Sequence, residues 1–280
     1  PRFLVAFTVL GLAHASSCMS GRREAEPAQV PQQERAVTAT LRAVGASTGV
    51  QPTWTAAARI GLPVAGALGN LAAAAQPAAP SNRPCPDGMA YVSGDYCPDV
   101  EHRCVRWMET GGRFAYYRCA EYARPAKCLT QRRPMKYCID RDEYVPPQQN
   151  LPASNQSWTH ATQVCSSLGK RVCMESEWQF ACEGEEMRPY PYGFVRDADA
   201  CNADRVDIYR TDGKLLDLRE GAKDHPRCVS PFGVHHLSGN LEEWTTIDNS
   251  TPPRPAMKGA YWQPSRNHCR AAQTAHDQYY

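Results

Sequence analysis

The chain has 280 residues, enough for one large domain or a smaller domain with a long extension. Hydrophobic residues make up 42% and charged residues 21%, which supports a globular core; no collagen or coiled-coil period is present, so those classes are excluded. The formal net charge of +2 is unevenly spread: residues 1–84 hold seven Arg and three Glu with no Lys or Asp, leaving 24 of the 31 basic and 26 of the 29 acidic residues for 85–280. A nearly neutral C-terminal part argues against a nucleic-acid domain driven by phosphate contacts.

Residues 3–13 are an apolar run of signal-peptide length, too short to span a bilayer, so residues 1–18 are expected to be a signal peptide. Two processing routes remain open. Ala13-His14-Ala15 fits a cleavage site for a soluble product, and Ala15-Ser16-Ser17-Cys18 resembles a lipobox in which Cys18 carries a lipid. Either route exports the chain, as an outer-membrane lipoprotein, a periplasmic protein or a cell-surface protein. Residues 19–84, rich in Ala, Gln, Pro and Gly, read as a linker. Its uncharged stretch Ile60–Pro80 has few strong hydrophobes and is broken by Gly, Pro and Asn, so a tether is expected there and not a membrane span.

The texture changes at Cys85, and twelve of the thirteen cysteines lie in 85–269. Short periodic segments alternate with Pro, Gly and Asn breaks, the pattern of a loop-rich α+β domain over 85–280. Alternating apolar residues predict strands at Met89–Val92 and Tyr137–Tyr144. Between them, residues 97–128 form a Cys-rich insert with several Arg and aromatic residues, expected to be a stapled loop layer. A helix is predicted over Trp158–Leu168, with Ser157 as N-cap, Trp158, Ala161, Val164, Cys165 and Leu168 on one face, and Gly169 as its stop. A second is predicted over Glu175–Cys182, with Glu175 and Glu177 in the first turn, where the helix dipole favours anions.

Zinc sites are usually announced by paired cysteine knuckles two to four residues apart. No such pair occurs; the cysteines are isolated singles, which reads as disulfides, each contributing roughly 2–4 kcal/mol. Their connectivity does not follow from spacing.

Taken in order, several segments resemble one family. They are Gly88-Met89-Ala90-Tyr91-Val92-Ser93-Gly94, Tyr137-Cys138-Ile139-Asp140 with Glu143-Tyr144, and Ser157-Trp158 with Ala161 and Cys165. Gly169-Lys170-Arg171-Val172 then leads into Glu175-Ser176-Glu177-Trp178, followed by Tyr190-Pro191-Tyr192-Gly193 and Ser230-Pro231-Phe232-Gly233-Val234. Ser238-Gly239-Asn240-Leu241-Glu242-Glu243-Trp244 and Lys258-Gly259-Ala260-Tyr261-Trp262 close the series. The order resembles the formylglycine-generating enzyme, or sulfatase-modifying factor, family, as a bacterial exported member. The resemblance covers about 85–280 and implies that family's C-type-lectin-like variant of the α+β class, loop-rich and disulfide-stapled.

The resemblance also implies roles. The family binds calcium at the positions of Asn240, the Leu241 carbonyl and Glu243, and at those of Asn202 and the Ala203 carbonyl, which is the hard-oxygen set that Ca²⁺ prefers. The plainer alternative is a buried Asn bonding the backbone and a Glu paired with an Arg. Trp158, Trp178 and Trp244 are expected to be core anchors. By resemblance Cys182 is expected to bridge to Cys269.

True enzymes of the family resemble one another at a copper-binding cysteine pair just beyond the segment matched by Lys258–Trp262. Gln263 occupies the first of those positions here, and Pro264-Ser265-Arg266-Asn267-His268 contains no cysteine. Soft thiolates are what Cu(I) chemistry needs, and Cys269 alone cannot supply two, so no formylglycine-generating activity and no copper or iron are expected. The expected function is that of an exported, membrane-tethered, non-catalytic binding or scaffold domain. Its partner is expected to be a protein or a glycan, with no nucleic acid and no membrane contact except through an N-terminal lipid. The alternative is a metal-dependent oxidoreductase with an altered site, for which His235, His236 and His268 are the candidate ligands. Adjacent His235 and His236 on a strand would point to opposite faces and ligate poorly together. Cys173-Met174 stands where the family has Pro-Thr, removing a Thr N-cap, and an extra disulfide through Cys173 is expected to compensate. On the family pattern a further strand, whose cysteine bridges to Cys165, is expected beyond Tyr280, so the C-terminus reads as truncated.

Overall fold

The computed structural model describes residues 14–15, 83–263 and 267–274. Apart from 14–15 and 83–84, the expected signal peptide and linker, with Cys18 and the Ile60–Pro80 stretch, lie outside the described residues. Among the described residues no helix is long and apolar enough to cross a membrane. The elements in chain order are β1 (His14–Ala15), β2 (Met89–Tyr96), β3 (Val100–Glu101), β4 (Cys104–Trp107), β5 (Cys119–Tyr122), β6 (Lys127–Cys128) and β7 (Arg133–Asp140). Then follow α1 (Trp158–Ser167), α2 (Glu175–Glu183), β8 (Glu242–Thr246) and β9 (Pro255–Lys258). Both classes of element are present and all are short, so the domain is α+β with long loops between its parts.

β2 and β7 pair antiparallel from Met89↔Asp140 to Tyr96↔Arg133. Alternation along this ribbon sends Ala90, Val92, Tyr137 and Ile139 into the main core, with Trp178, Phe180, Cys182, Leu237 and Cys269. The opposite face carries Met89 and Cys138 against Cys85. The predicted strand over Tyr137–Tyr144 is therefore displaced: pairing stops at Asp140, because β2 begins at Met89, and the Arg141 N–H turns instead to the Gly88 carbonyl at 2.9 Å.

Helix α1 starts where its cap predicts, with the Ser157 hydroxyl accepting from the His160 N–H at 3.1 Å. Its Ala161 and Cys165 pack on Trp244 of β8 and Met257 of β9, forming a second cluster. β8 lies between β1, parallel, and β9, antiparallel.

Helix α2 corrects one expectation. Cys173 is a buried thiol outside the disulfides and does not replace the missing cap. Glu177 does so locally, accepting from the Met174 N–H at 2.8 Å, while Asp248 reaches across to accept from the Ser176 N–H at 2.8 Å and its hydroxyl at 2.7 Å. Two carboxylates at a helix N-terminus also suit the dipole. Trp178 and Trp244 are buried anchors, whereas Trp158 is only partly buried. Truncating Trp178 to Ala would cost about 3–5 kcal/mol.

Five disulfides join Cys85–Cys138, Cys97–Cys128, Cys104–Cys119, Cys182–Cys269 and Cys201–Cys228 among the described residues. Two of them are nested in residues 97–128, where Cys97–Cys128 encloses Cys104–Cys119 and the strand pairs β3–β6 and β4–β5 nest in the same way.

Candidate functional site

Two places gather the residues singled out from the sequence. The first is the loop following β9. Tyr261 and Trp262 are buried there, and the Trp262 carbonyl accepts from the Arg205 N–H at 2.8 Å. Gln263 is partly exposed. Cys269 is fully buried and bonded to Cys182 near the end of α2, with S–S 2.06 Å. The next residue adds a second tie to the same helix: Arg270 donates to both Glu183 oxygens, at 2.7 and 2.5 Å, and to the Cys97 and Pro98 carbonyls at 2.6 and 2.8 Å. Burial pushes the Glu183 carboxyl up against this partner. The pair Cys269-Arg270 thus clamps α2 and the start of the insert, and its sulfur is engaged in a bond that a thiolate ligand would have to break.

Around the clamp, charges are buried with partners. Lys258 is fully buried, lies 5.6 Å over the Trp178 ring and reaches Glu175 at 3.2 Å. Burial lowers its ammonium to about 8. Burial also holds His268 at about 4, so it is a neutral imidazole at pH 7.

The second place is the polar cluster behind β8. Gly239 and Asn240 both take left-handed backbone conformations, φ 79° and 61°. A Cβ on Gly239 would lie 2.3 Å from the Asn202 carbonyl oxygen, so only glycine permits this approach. The approach lets the Asn240 N–H donate to that carbonyl at 2.8 Å and brings the two amides together, Asn202 Nδ2 to Asn240 Oδ1 at 3.0 Å. Asn240 Oδ1 also accepts from the Glu220 N–H at 2.9 Å, and its Nδ2 donates to Glu143 and to the Glu220 carbonyl. Asn202 Nδ2 further donates to the Leu218 carbonyl at 2.7 Å. Glu243 faces elsewhere, accepting from the Trp178 indole N–H at 2.6 Å.

The two asparagines predicted as calcium ligands therefore share one cluster, and Glu243 lies on Trp178 rather than on Asn240. One oxygen at the Asn202 end suits a hard cation: Asn202 Oδ1 is buried and accepts no hydrogen bond among the described residues. Asn240 Oδ1 does not, since it already accepts two N–H groups. Among the described residues no group of three His, Cys, Asp or Glu side chains is arranged to hold a metal.

The histidines do not converge. His235 Nδ1 is 2.6 Å from Asp142 at the surface, while His236 is buried with Nδ1 3.6 Å from Glu143. They diverge without a strand, because His236 has φ 57° and its N–H turns to the Cys228 carbonyl. Burial opposes charge on His236, but Glu143, helped by Asp142 and Glu220, outweighs it and raises its pKa; burial raises that of Glu143. Glu143 and Glu220 were missed as cluster members. Glu143 was visible only as part of a matched segment, and Glu220 carries no local signal.

This geometry describes a disulfide-tied α+β domain whose loop after β9 is bound to α2 through Cys269 and Arg270. The model of the sulfatase-modifying factor enzyme 1-like domain matches residues 70–279, and the chain belongs to that family. It is 28% identical over 124 residues to the inactive C-alpha-formylglycine-generating enzyme 2 of Bos taurus, 40% of this chain and 38% of that protein. It is 25% identical over 199 residues to the serine/threonine-protein kinase pkn1 of Chlamydia caviae, 64% of this chain and 29% of the relative. With the formylglycine-generating enzyme of Mus musculus it shares 26% over 103 residues, 35% of this chain and 27% of the relative. The chain thus spans well under half the length of these relatives.

Proposed function

We propose that this chain is an exported, tethered and catalytically silent member of its family, with the C-type-lectin-like variant of the fold serving to bind a protein or glycan. The observation that carries this reading is the loop after β9: Gln263 holds the position of the first ligand and Cys269 is bonded to Cys182. The bovine relative's description as inactive supports it. Purified full-length protein loaded with Cu(I) and given a cysteine-containing peptide should show no thiol-dependent oxygen consumption and no aldehyde product. Robust turnover that disappears in Cys269→Ser would overturn the reading.

Calcium belongs to the same proposal as a structural ion at the second of the two expected sites, held by Asn202 and the Ala203 carbonyl; at the other expected set, Asn240, the Leu241 carbonyl and Glu243, the Asn240 and Glu243 side chains already accept N–H groups. The donor-free Oδ1 of Asn202 supports it. Ca²⁺ at a hundredfold excess over Kd should add about 2.7 kcal/mol of stability and raise the melting temperature accordingly. The rise should vanish in Asn202→Ala. A melting temperature indifferent to Ca²⁺ in the unsubstituted chain would remove the ion from the proposal.

A further inference from the structure

The insert carries a feature that neither the family's loop nor the polar cluster uses. Between Cys104 and Cys119 the chain runs out as a hairpin closed by their disulfide. Its tip exposes large apolar side chains: Met108 is 43% exposed, Phe114 58%, Tyr116 60% and Tyr117 62%. A concentration of large apolar side chains exposed on one turn marks a contact surface.

The tip is held in this shape. Trp107 packs edge-on against Tyr116 at 5.8 Å, and Tyr116 itself has φ 56°. The Tyr116 N–H donates to the Glu109 carbonyl and the Met108 N–H to the Arg118 carbonyl, both at 2.9 Å. The Ala115 and Tyr117 N–H groups bond the Gly112 and Phe114 carbonyls at 3.3 and 3.2 Å. The turn thus satisfies these backbone donors internally, the condition for leaving water at low cost.

Charge selects the partner. Residues 104–119 contain Arg106, Arg113 and Arg118 against Glu109 alone, a net charge of +2. Arg118 pairs with Glu109 and Arg106 with Glu121 at 3.4 Å, which leaves the Arg113 guanidinium beside the apolar tip, 5.6 Å over the Phe114 ring. Like charge disfavours two copies meeting tip to tip. A turn that exposes aromatic rings with the Arg113 guanidinium beside them matches an anionic lipid interface, where rings enter at headgroup depth and the cation meets phosphate.

We propose that the 104–119 hairpin docks on an anionic lipid bilayer, with Phe114 and Tyr117 entering the interface and Arg113 meeting the headgroup phosphates. This contact is independent of any N-terminal lipid and of the catalytic state of the loop after β9. It would orient the domain on a membrane and not merely hold it nearby.

The test is flotation of the full chain with vesicles of phosphatidylcholine alone or with about one third phosphatidylglycerol. The full chain should float with the anionic vesicles. The double variant Phe114→Ser, Tyr117→Ser should bind them at least ~tenfold more weakly. Arg113→Gln should weaken binding about fivefold, and raised salt should weaken it further. Peptide mapping without reductant keeps the comparison sound by showing Cys104–Cys119 intact in each variant. Equal binding to neutral and anionic vesicles, or unchanged binding in the aromatic double variant, would overturn the proposal. So would saturable binding of a soluble sulfated polysaccharide that displaces the vesicles and ignores Phe114 and Tyr117, or a concentration-dependent dimer abolished by the same double variant.

Discussion

Replacing Cys182 and Cys269 together by alanine tests whether Cys269 is a structural residue. The bridge closes a sequence separation of 87, and chain-entropy arithmetic gives about 4.6 kcal/mol for a loop of that length. Both sulfurs are fully buried, so their removal also leaves small voids worth about 1 kcal/mol in all. For a domain of this size each kcal/mol lowers the melting temperature by roughly 2–4 °C, which places the double variant about 10–20 °C below the parent. The measurement is thermal unfolding followed by near-ultraviolet circular dichroism without reductant, with calorimetry to check that the transition stays two-state. Arg270 should soften the loss, since its bonds to Glu183 hold the same loop to α2. A drop of under about 3 °C would refute the reasoning, because neither the entropic nor the packing contribution would then be present.

Two other outcomes follow from the site. Gly239→Ala should destabilise the domain by at least about 2 kcal/mol in urea unfolding, since its Cβ meets backbone 2.3 Å away at a left-handed position; a loss under about 0.5 kcal/mol would contradict the approach of Asn202. His268 has its pKa lowered by burial from 6.5 to about 4, so between those values the unfolded chain binds a proton that the folded chain does not. Stability should therefore fall as pH drops through that window, by about 2 kcal/mol after allowing for the residue's partial exposure, and His268→Gln should remove that part of the slope in acid titrations of unfolding.

Local pattern carried the helices and did not carry the polar clusters. Ser157 and the spacing of Ala161 and Cys165 locate α1 because capping and a 3.6-residue period act over a few neighbours. The second strand was placed too late because Glu143 and Tyr144 continue an alternation that β2 is too short to pair; Glu143 is buried by Asn240 instead, 97 positions away. The missing Thr cap was legible, but its replacement was not, since Asp248 comes from 72 positions downstream of Ser176. The cysteine count pointed to bridges, yet an even number in the domain concealed that Cys173 stays a thiol. Asn202 and Asn240 were legible only through resemblance to a family; their contact depends on a glycine whose purpose appears when the chain folds back on it.

The buried thiol of Cys173 gives the domain a built-in clock. It sits one residue before the cap of α2, fully buried, and burial raises its pKa well above the ordinary thiol value. An alkylating reagent can reach it only when the packing around α2 opens, while the disulfide sulfurs stay unreactive throughout. The rate of alkylation at Cys173, separated from that at Cys165 by peptide mapping and compared with a free peptide, therefore reads the opening equilibrium around α2 in native buffer without denaturant. The same clock would register a ligand, a metal ion or a membrane surface as a slowing of one chemical reaction.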